Sequence, residues 1–414
     1  MPLDPSRVVS NLEHLRSLTG DEQGAQRVAW TETWAKGRAW LAESLADLPL
    51  EVERDEAGND WYTLPGESER ALLIGGHMDS VPNGGWLDGC LNVLAGAKVL
   101  RRVSEEGTPP LTVRLVDWAD EEGARFGRSL FGSSAAAGSM TDQGELRGLV
   151  DRDGVSLPDA LTAFGVDLDS ATDAGSQLEN AAAYLELHIE QGPVLESLDL
   201  PLGTVLGTFG VERWRVTWTG QAAHAGSTPM DARRDALAGA ARLALALREI
   251  AASIGDGAVC TSGDVTCRPG IVTSVVETAE QLLDLRHLDP AKLASMLARA
   301  QELAREYAVA ESLGVAWEKI WSIEPILFDE TLIGLADEAI REVSGTTHRL
   351  PSGPLHDAAE VSRAGVPTVM IFVQSLRGLS HTKLEDTKPE HLELAVQALD
   401  RLASKTFAHL ASGS

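Results

Sequence analysis

Three histidines, a loop aspartate and a pair of glutamates stand in this sequence where metal-assisted chemistry becomes possible. His77 lies in Gly75-Gly76-His77-Met78-Asp79, with Asp79 two residues on and Asp88 further along the loop. Glu121 and Glu122 are adjacent, His188 sits in Glu186-Leu187-His188-Ile189-Glu190-Gln191, and His381 in Gly378-Leu379-Ser380-His381. A neutral imidazole suits zinc or a similar transition metal. A nearby carboxylate can take the other ring N–H and set the tautomer, a role open to Asp79. Two adjacent glutamates beyond a buried strand can point in different directions, one to a cation and one to a water whose proton it moves. Singly, each feature also fits an ordinary solvated loop. Together, three imidazoles and two carboxylates satisfy two divalent ions that share one bridging carboxylate, held about 3.5–4 Å apart.

Each donor follows a segment that reads as a strand. Ala71-Leu72-Leu73-Ile74 is a short apolar run that ends in glycines, so the chain can turn and place His77 at a sheet rim. Residues 111–118, 182–189 and 368–372 read as further strands, and 92–103 as a helix entered from the Asp88 loop. Helices are also expected over 5–19, 25–45, 331–344 and 388–411, with Trp30, Trp34 and Trp40 on an inner face, and a hairpin over 51–64. Strands alternating with helices predict an α/β domain with a mixed, mostly parallel sheet, whose sites gather where strands end. After residue 206 the texture changes. Val211–Thr219 alternates as a half-exposed antiparallel strand does, a long helix is expected at 230–252, strands at 258–268, 270–276 and 280–287, and a helix at 290–309. This predicts a compact α+β insertion over 206–327 between 1–205 and 328–414.

The formal charge of −27 over 414 residues argues against nucleic-acid and anionic-membrane partners, which need a basic footprint. No apolar run approaches the roughly 20 residues that span a bilayer, and no basic-then-apolar leader opens the chain, so a cytoplasmic protein is expected. Cys90, Cys260 and Cys267 are too scattered for a disulfide framework or thiolate metal site. Cys90 reads as a small packing residue.

The segments GGHMDSVPNGGWLDG (75–89), DEEGARFG (120–127), ELHIEQGP (186–193), GQAAHAGSTPM (220–230), LPSGPLHDA (350–358) and GLSHTKLED (378–386) are spread along most of the chain. In content and order they resemble the dinuclear-metal peptidase and aminoacylase superfamily, and within it the amidase/hydantoinase/carbamoylase branch of N-carbamoyl-L-amino-acid hydrolases, ureidopropionases and allantoate amidohydrolases. The resemblance implies a zinc-exopeptidase-like catalytic domain, an inserted lid and dimerisation domain, and a homodimer. It places His77 and His188 on one ion, Glu122 and His381 on the other, and Asp88 between them. Asp79 would orient His77, Glu121 would be general base and then acid, and His224 would reach the partner subunit's site and polarise the scissile carbonyl or stabilise the oxyanion. Gln191, His356 and Arg286 would contact a small carboxylated substrate, Arg286 as a guanidinium clamp. Zinc is expected, with manganese, cobalt or nickel also compatible with the donor set. The implied reaction is hydrolysis of a linear amide or ureido C–N bond, an N-carbamoyl-L-amino acid leading. An N-acyl-amino-acid amidase or dipeptidase, an allantoate or ureido-acid hydrolase, and a non-catalytic metal-stabilised binding protein are the alternatives.

The chain departs from the branch pattern at polar substrate positions. Thr273 stands where the branch has an Asn, Ala223 precedes the lid histidine in place of another Asn, and Trp86-Leu87 replace an Arg-Tyr type pair. A buried polar group left without its partner costs about 1–3 kcal/mol, so these changes bear on the substrate more than on the reaction class. Trp86 fits either a bulkier, more apolar substrate or simple packing.

Overall fold

A computed structural model describes residues 3–412. The chain forms two compact units, one running to Leu206 and resuming at Phe328, the other Gly207–Leu327.

The first unit is built on one sheet. Its main strands are β1 (Glu51–Arg54), β2 (Asp60–Leu64), β3 (Ala71–His77), β4 (Thr112–Trp118), β5 (Ala181–Ile189), β6 (Leu202–Thr208) and β7 (Thr368–Val373). They lie in the order β6-β7-β5-β3-β4-β2-β1. The middle four, β7-β5-β3-β4, are parallel, while β2 and β6 flank them antiparallel. The parallel strands are buried almost throughout, as expected where helices cover a sheet. The first helix, α1 (Pro5–Thr19), buries Val8, Leu12 and Leu15 on one face. The helix read as starting at residue 25 starts later, as α2 (Glu32–Leu45). Gly24–Ala25 pairs with Gly20–Asp21 as a short ribbon, Trp30 turns through φ 60°, and the Thr31 side chain accepts the Trp34 N–H as an N-cap. Trp30 and Trp34 are buried against each other at 5.0 Å, whereas Trp40 is only half-buried beside His14. The helix after the Asp88 loop is α3 (Cys90–Glu105). Among the described residues no helix is long and apolar enough to cross a membrane.

The second unit is a four-stranded antiparallel sheet in the order Val259–Arg268, Thr278–His287, Gly210–Thr219, Gly314–Ile323. Val216, Trp218, Ala279 and Leu283 of the sheet share a core with Ala240 and Leu243 of Ala236–Ile254 and with Met296 and Ala300 of Pro290–Ala310. Two expected elements differ in this unit, and one strand was not expected. Residues 270–276 are not a strand: Pro269 has no N–H to give and Gly270 turns at φ 71°, leaving only a bridge between His224 and Ser274. The long helix begins at Ala236, where the Asp235 side chain accepts the Leu237 N–H. The strand Gly314–Ile323 escaped the sequence reading because a register shift between Lys319 and Trp321 breaks its alternation.

Candidate metal centre

The four parallel strands deliver their C-terminal ends to one rim, and the candidate donors sit there. His77 is the last residue of β3 and His188 the last but one of β5. Glu121 and Glu122 follow β4 after a turn at Asp120 (φ 56°), and His381 follows β7 on a loop where it takes φ 55° itself. Asp88 precedes α3, separated from it by Gly89 at φ 65°. A Cβ at Gly89 would lie 2.4 Å from the His77 ring, so glycine is required for the loop to pass the imidazole.

Polar contacts hold these loops. The Asn59 amide oxygen, on the β1–β2 hairpin, accepts the Ala119 N–H at 2.9 Å. Asp79 lies 3.4 Å from His77 Nδ1, and its two oxygens accept the N–H groups of Glu121 (3.2 Å) and Glu122 (3.1 Å). The residue expected to orient His77 therefore also anchors the glutamate pair.

The donors form two groups that share Asp88: His77, Asp88 and His188, and Asp88, Glu122 and His381. Asp88 Oδ1 lies 3.0 Å from His188 Nε2 and 3.6 Å from His77 Nε2. Its Oδ2 lies 3.6 Å from His381 Nε2, which is 3.3 Å from Glu122 Oε2. Glu121 Oε2 stands 3.7 Å from His77 Nε2. His381 is 53 % exposed while Asp88 and Glu122 are 4 % exposed, so the second group opens to solvent on its histidine side.

Protonation states test whether cations fit. His188 Nδ1 is 2.9 Å from the Ile189 carbonyl and His77 Nδ1 3.2 Å from the Asp79 carbonyl. A carbonyl only accepts, so each Nδ1 carries the proton. Each buried Nε2 then makes no hydrogen bond and faces a carboxylate oxygen. A lone pair facing an anion from about 3 Å needs positive charge between them, which a ring proton or a divalent cation can supply. The electrostatics agree. Burial pushes the His77 pKa down, yet Glu121, Asp79 and Asp88 hold it well above the usual value; burial likewise pushes His188 down, and Asp88 holds it above the usual value. Burial pushes Glu121 and Glu122 well up, and their carboxylate neighbours add to it. The pocket is short of positive charge, and its residues fit a bound cation.

The other expected residues fall in different places. Gln191, at φ 56°, donates to Asp88 Oδ2 (2.7 Å) and Ser380 Oγ (3.1 Å). His356 is buried with its ring centroid 4.3 Å from that of His188, and burial with that neighbour holds its pKa well below normal. Trp86 packs on the core with the Arg16 guanidinium 5.6 Å from its ring, which favours packing. Cys90 is buried and accepts from Arg27 at 2.8 Å. His224, Thr273 and Arg286 belong to the second unit. The Thr273 carbonyl accepts the Ala225 N–H beside His224, and Asp284 engages Arg286 at 2.6 Å. His224 Nδ1 accepts the Gly226 N–H at 3.1 Å, so the proton of the neutral ring is on Nε2.

Glu186 and Glu385 are among the buried carboxylates that the sequence did not single out. Glu186 accepts from the Tyr184 hydroxyl (2.8 Å) and the Ala358 N–H (2.9 Å), tying β5 to the start of the helix Asp357–Arg363. Its place two residues before His188, on the same strand face, was the available signal. Glu385 accepts from the backbone of Leu87 and Asp88, and nothing in its sequence surroundings pointed there.

Comparison with known proteins follows the same lines. The family model "Peptidase family M20/M25/M40" matches residues 73–405. An N-carbamoyl-L-amino acid amidohydrolase of Geobacillus stearothermophilus is 34% identical over 384 residues, 91% of this chain and 92% of its own length. An allantoate amidohydrolase of Escherichia coli is 32% identical, covering 95% of each chain. The crystal structure of an amidase of the hydantoinase/carbamoylase family from Burkholderia multivorans superposes with a TM-score of 0.88 at 30% identity, covering 97% of this chain and 98% of that one.

Proposed function

The chain belongs to peptidase family M20/M25/M40 and is a hydrolase, and from that premise we propose that it cleaves a linear amide or ureido C–N bond in a small carboxylated molecule, N-carbamoyl-L-amino acids first. The observation that carries this reading is the pair of donor groups sharing Asp88, with the buried Glu121 3.7 Å from His77. In it, His77, His188 and Asp88 hold one divalent ion, and Asp88, Glu122 and His381 a second. Zinc leads, with manganese, cobalt or nickel as alternatives. Such ions supply Lewis acidity at the scissile carbonyl and an activated water at neutral pH.

The chain's own residues do the rest. Glu121 takes a proton from the attacking water and returns it to the leaving nitrogen. Burial raises its carboxyl well above the usual carboxylate value. In a homodimer, His224 reaches the partner subunit's site and presents its Nε2–H to the developing oxyanion. Arg286 and His356 bind substrate, and Gly207–Leu327 acts as lid and dimerisation unit. For an N-carbamoyl substrate, water and the carbamoyl group become ammonia and carbon dioxide, freeing the amino acid.

A ureido-acid reading is supported by the allantoate amidohydrolase of Escherichia coli at 32% identity. The test is ammonia release by metal-reconstituted protein over a panel of N-carbamoyl, N-acyl and ureido acids, with and without chelator. Chelator-sensitive ammonia from N-carbamoyl acids is the expected result. Hydrolysis of N-acyl acids alone, without ammonia, would move the substrate class. No turnover across the panel by protein that binds metal would overturn the reading.

A further inference from the structure

Asp88 and His381 lie nearly 300 residues apart on two loops with little regular structure, yet both must hold a fixed geometry if one ion is to sit between them. The structure shows what holds the loops together. Glu385 Oε1 accepts the backbone N–H groups of Leu87 (3.0 Å) and Asp88 (3.1 Å). Its Oε2 is 3.0 Å from the hydroxyl of Ser380, the neighbour of His381, and that hydroxyl is also 2.9 Å from Asp88 Oδ2. Gln191 closes the network from a third loop by donating to both Asp88 Oδ2 and Ser380 Oγ. Glu385 is 2 % exposed, and its carboxylate packs on the backbone of Gly85, where a Cβ would come within 2.0 Å of Oε1.

We propose that Glu385 is a positioning residue, a staple between the Asp88 loop and the His381 loop that sets the second donor group, with Ser380 and Gln191 as its other points of attachment. This rests on the reading of Asp88 as the carboxylate shared by two ions. The reasoning is mechanical. His77 and His188 come from buried parallel strands and keep their places without help. Asp88 and His381 come from loops, and two of the second ion's three donors therefore depend on the staple. A carboxylate suits the place because one oxygen can accept two N–H groups while the other takes a hydroxyl. Gln191 then orients the shared carboxylate, a role separate from any contact with substrate.

The test is metal binding by the full-length apoprotein, titrated with zinc in competition with a chromophoric chelator, with metal per subunit counted after dialysis. Loss of a group that orients a metal ligand typically costs about 10–100-fold in affinity. Glu385→Ala is expected to weaken the looser of two zinc sites by about that factor and the tighter one by less than about 3-fold. Glu385→Gln, which keeps an oxygen for the two N–H groups, should recover most of the loss. If Glu385→Ala fails to melt cooperatively, Ser380→Ala carries the test, weakening the looser site alone. Two zinc sites unchanged in every variant that folds would overturn the staple. Equal weakening of both sites would also overturn it, as the mark of a general structural role. A parent protein that binds fewer than two zinc ions would instead overturn the shared-carboxylate reading on which it rests.

Discussion

The carboxylate of Asp79 stands 3.4 Å from His77 Nδ1 and accepts the backbone N–H of Glu121 at 3.2 Å. One side chain thus couples a candidate metal ligand to the candidate base, and the two residues should not fail in the same way. Glu121→Gln is expected to lower kcat by about 10²–10⁴-fold, the usual worth of a general acid–base group, with metal content unchanged. Asp79→Ala should lower both kcat and metal affinity. Steady-state kinetics alongside metal analysis separates the two; near-normal turnover in Glu121→Gln would remove it from the mechanism.

His224 is exposed, and its tautomer is set by the Gly226 N–H. His224→Ala is therefore expected to leave thermal stability unchanged while lowering kcat by about 10²–10³-fold, as loss of an oxyanion donor does. A variant that changed KM alone would assign His224 to substrate binding.

Removing metal should destabilise the protein, because the carboxylates and imidazoles around Asp88 then face one another uncompensated. A ligand at 100 times its Kd adds about 2.7 kcal/mol to stability, and at about 2.1 cal/mol/K of unfolding entropy per residue that is about 4 °C in Tm for a unit on the order of 300 residues. Calorimetry before and after chelation, with re-addition of zinc, checks this. An unchanged Tm would mean the donor groups bind nothing tightly.

Away from the centre, Asp117 is fully buried between Arg38, 2.7 Å away, and the Met78 N–H at 2.8 Å. Burial raises its pKa from 3.8 to about 6 against the pull of Arg38. The native state then holds this proton more tightly than the unfolded chain, so Asp117's contribution to stability falls as pH rises from about 4 to 6 and is level above. The full change is on the order of 3 kcal/mol. The stability of the parent minus that of Asp117→Asn, from urea melts, should fall between pH 5 and 6.5 and then stay flat. Parallel curves would show that Asp117 is ionised throughout.

What the sequence alone determined is what periodicity and residue type encode. Apolar runs ending in glycine marked β3, and strands alternating with helices marked a mostly parallel sheet, because buried strands need continuous apolar residues whatever lies beside them. The chemical types of His77, Asp88, Glu122, His188 and His381 were equally legible, since ligation depends on the side chain itself. Tertiary structure decided what depends on convergence. Asp79 reaching the Glu121 backbone, Gln191 turning onto Asp88, Trp86 settling under Arg16 and Glu385 closing on Leu87 join residues without fixed spacing. Contacts across loops have no period, and the partner of a buried carboxylate is fixed only when folding brings a donor to it and removes the water that would otherwise serve.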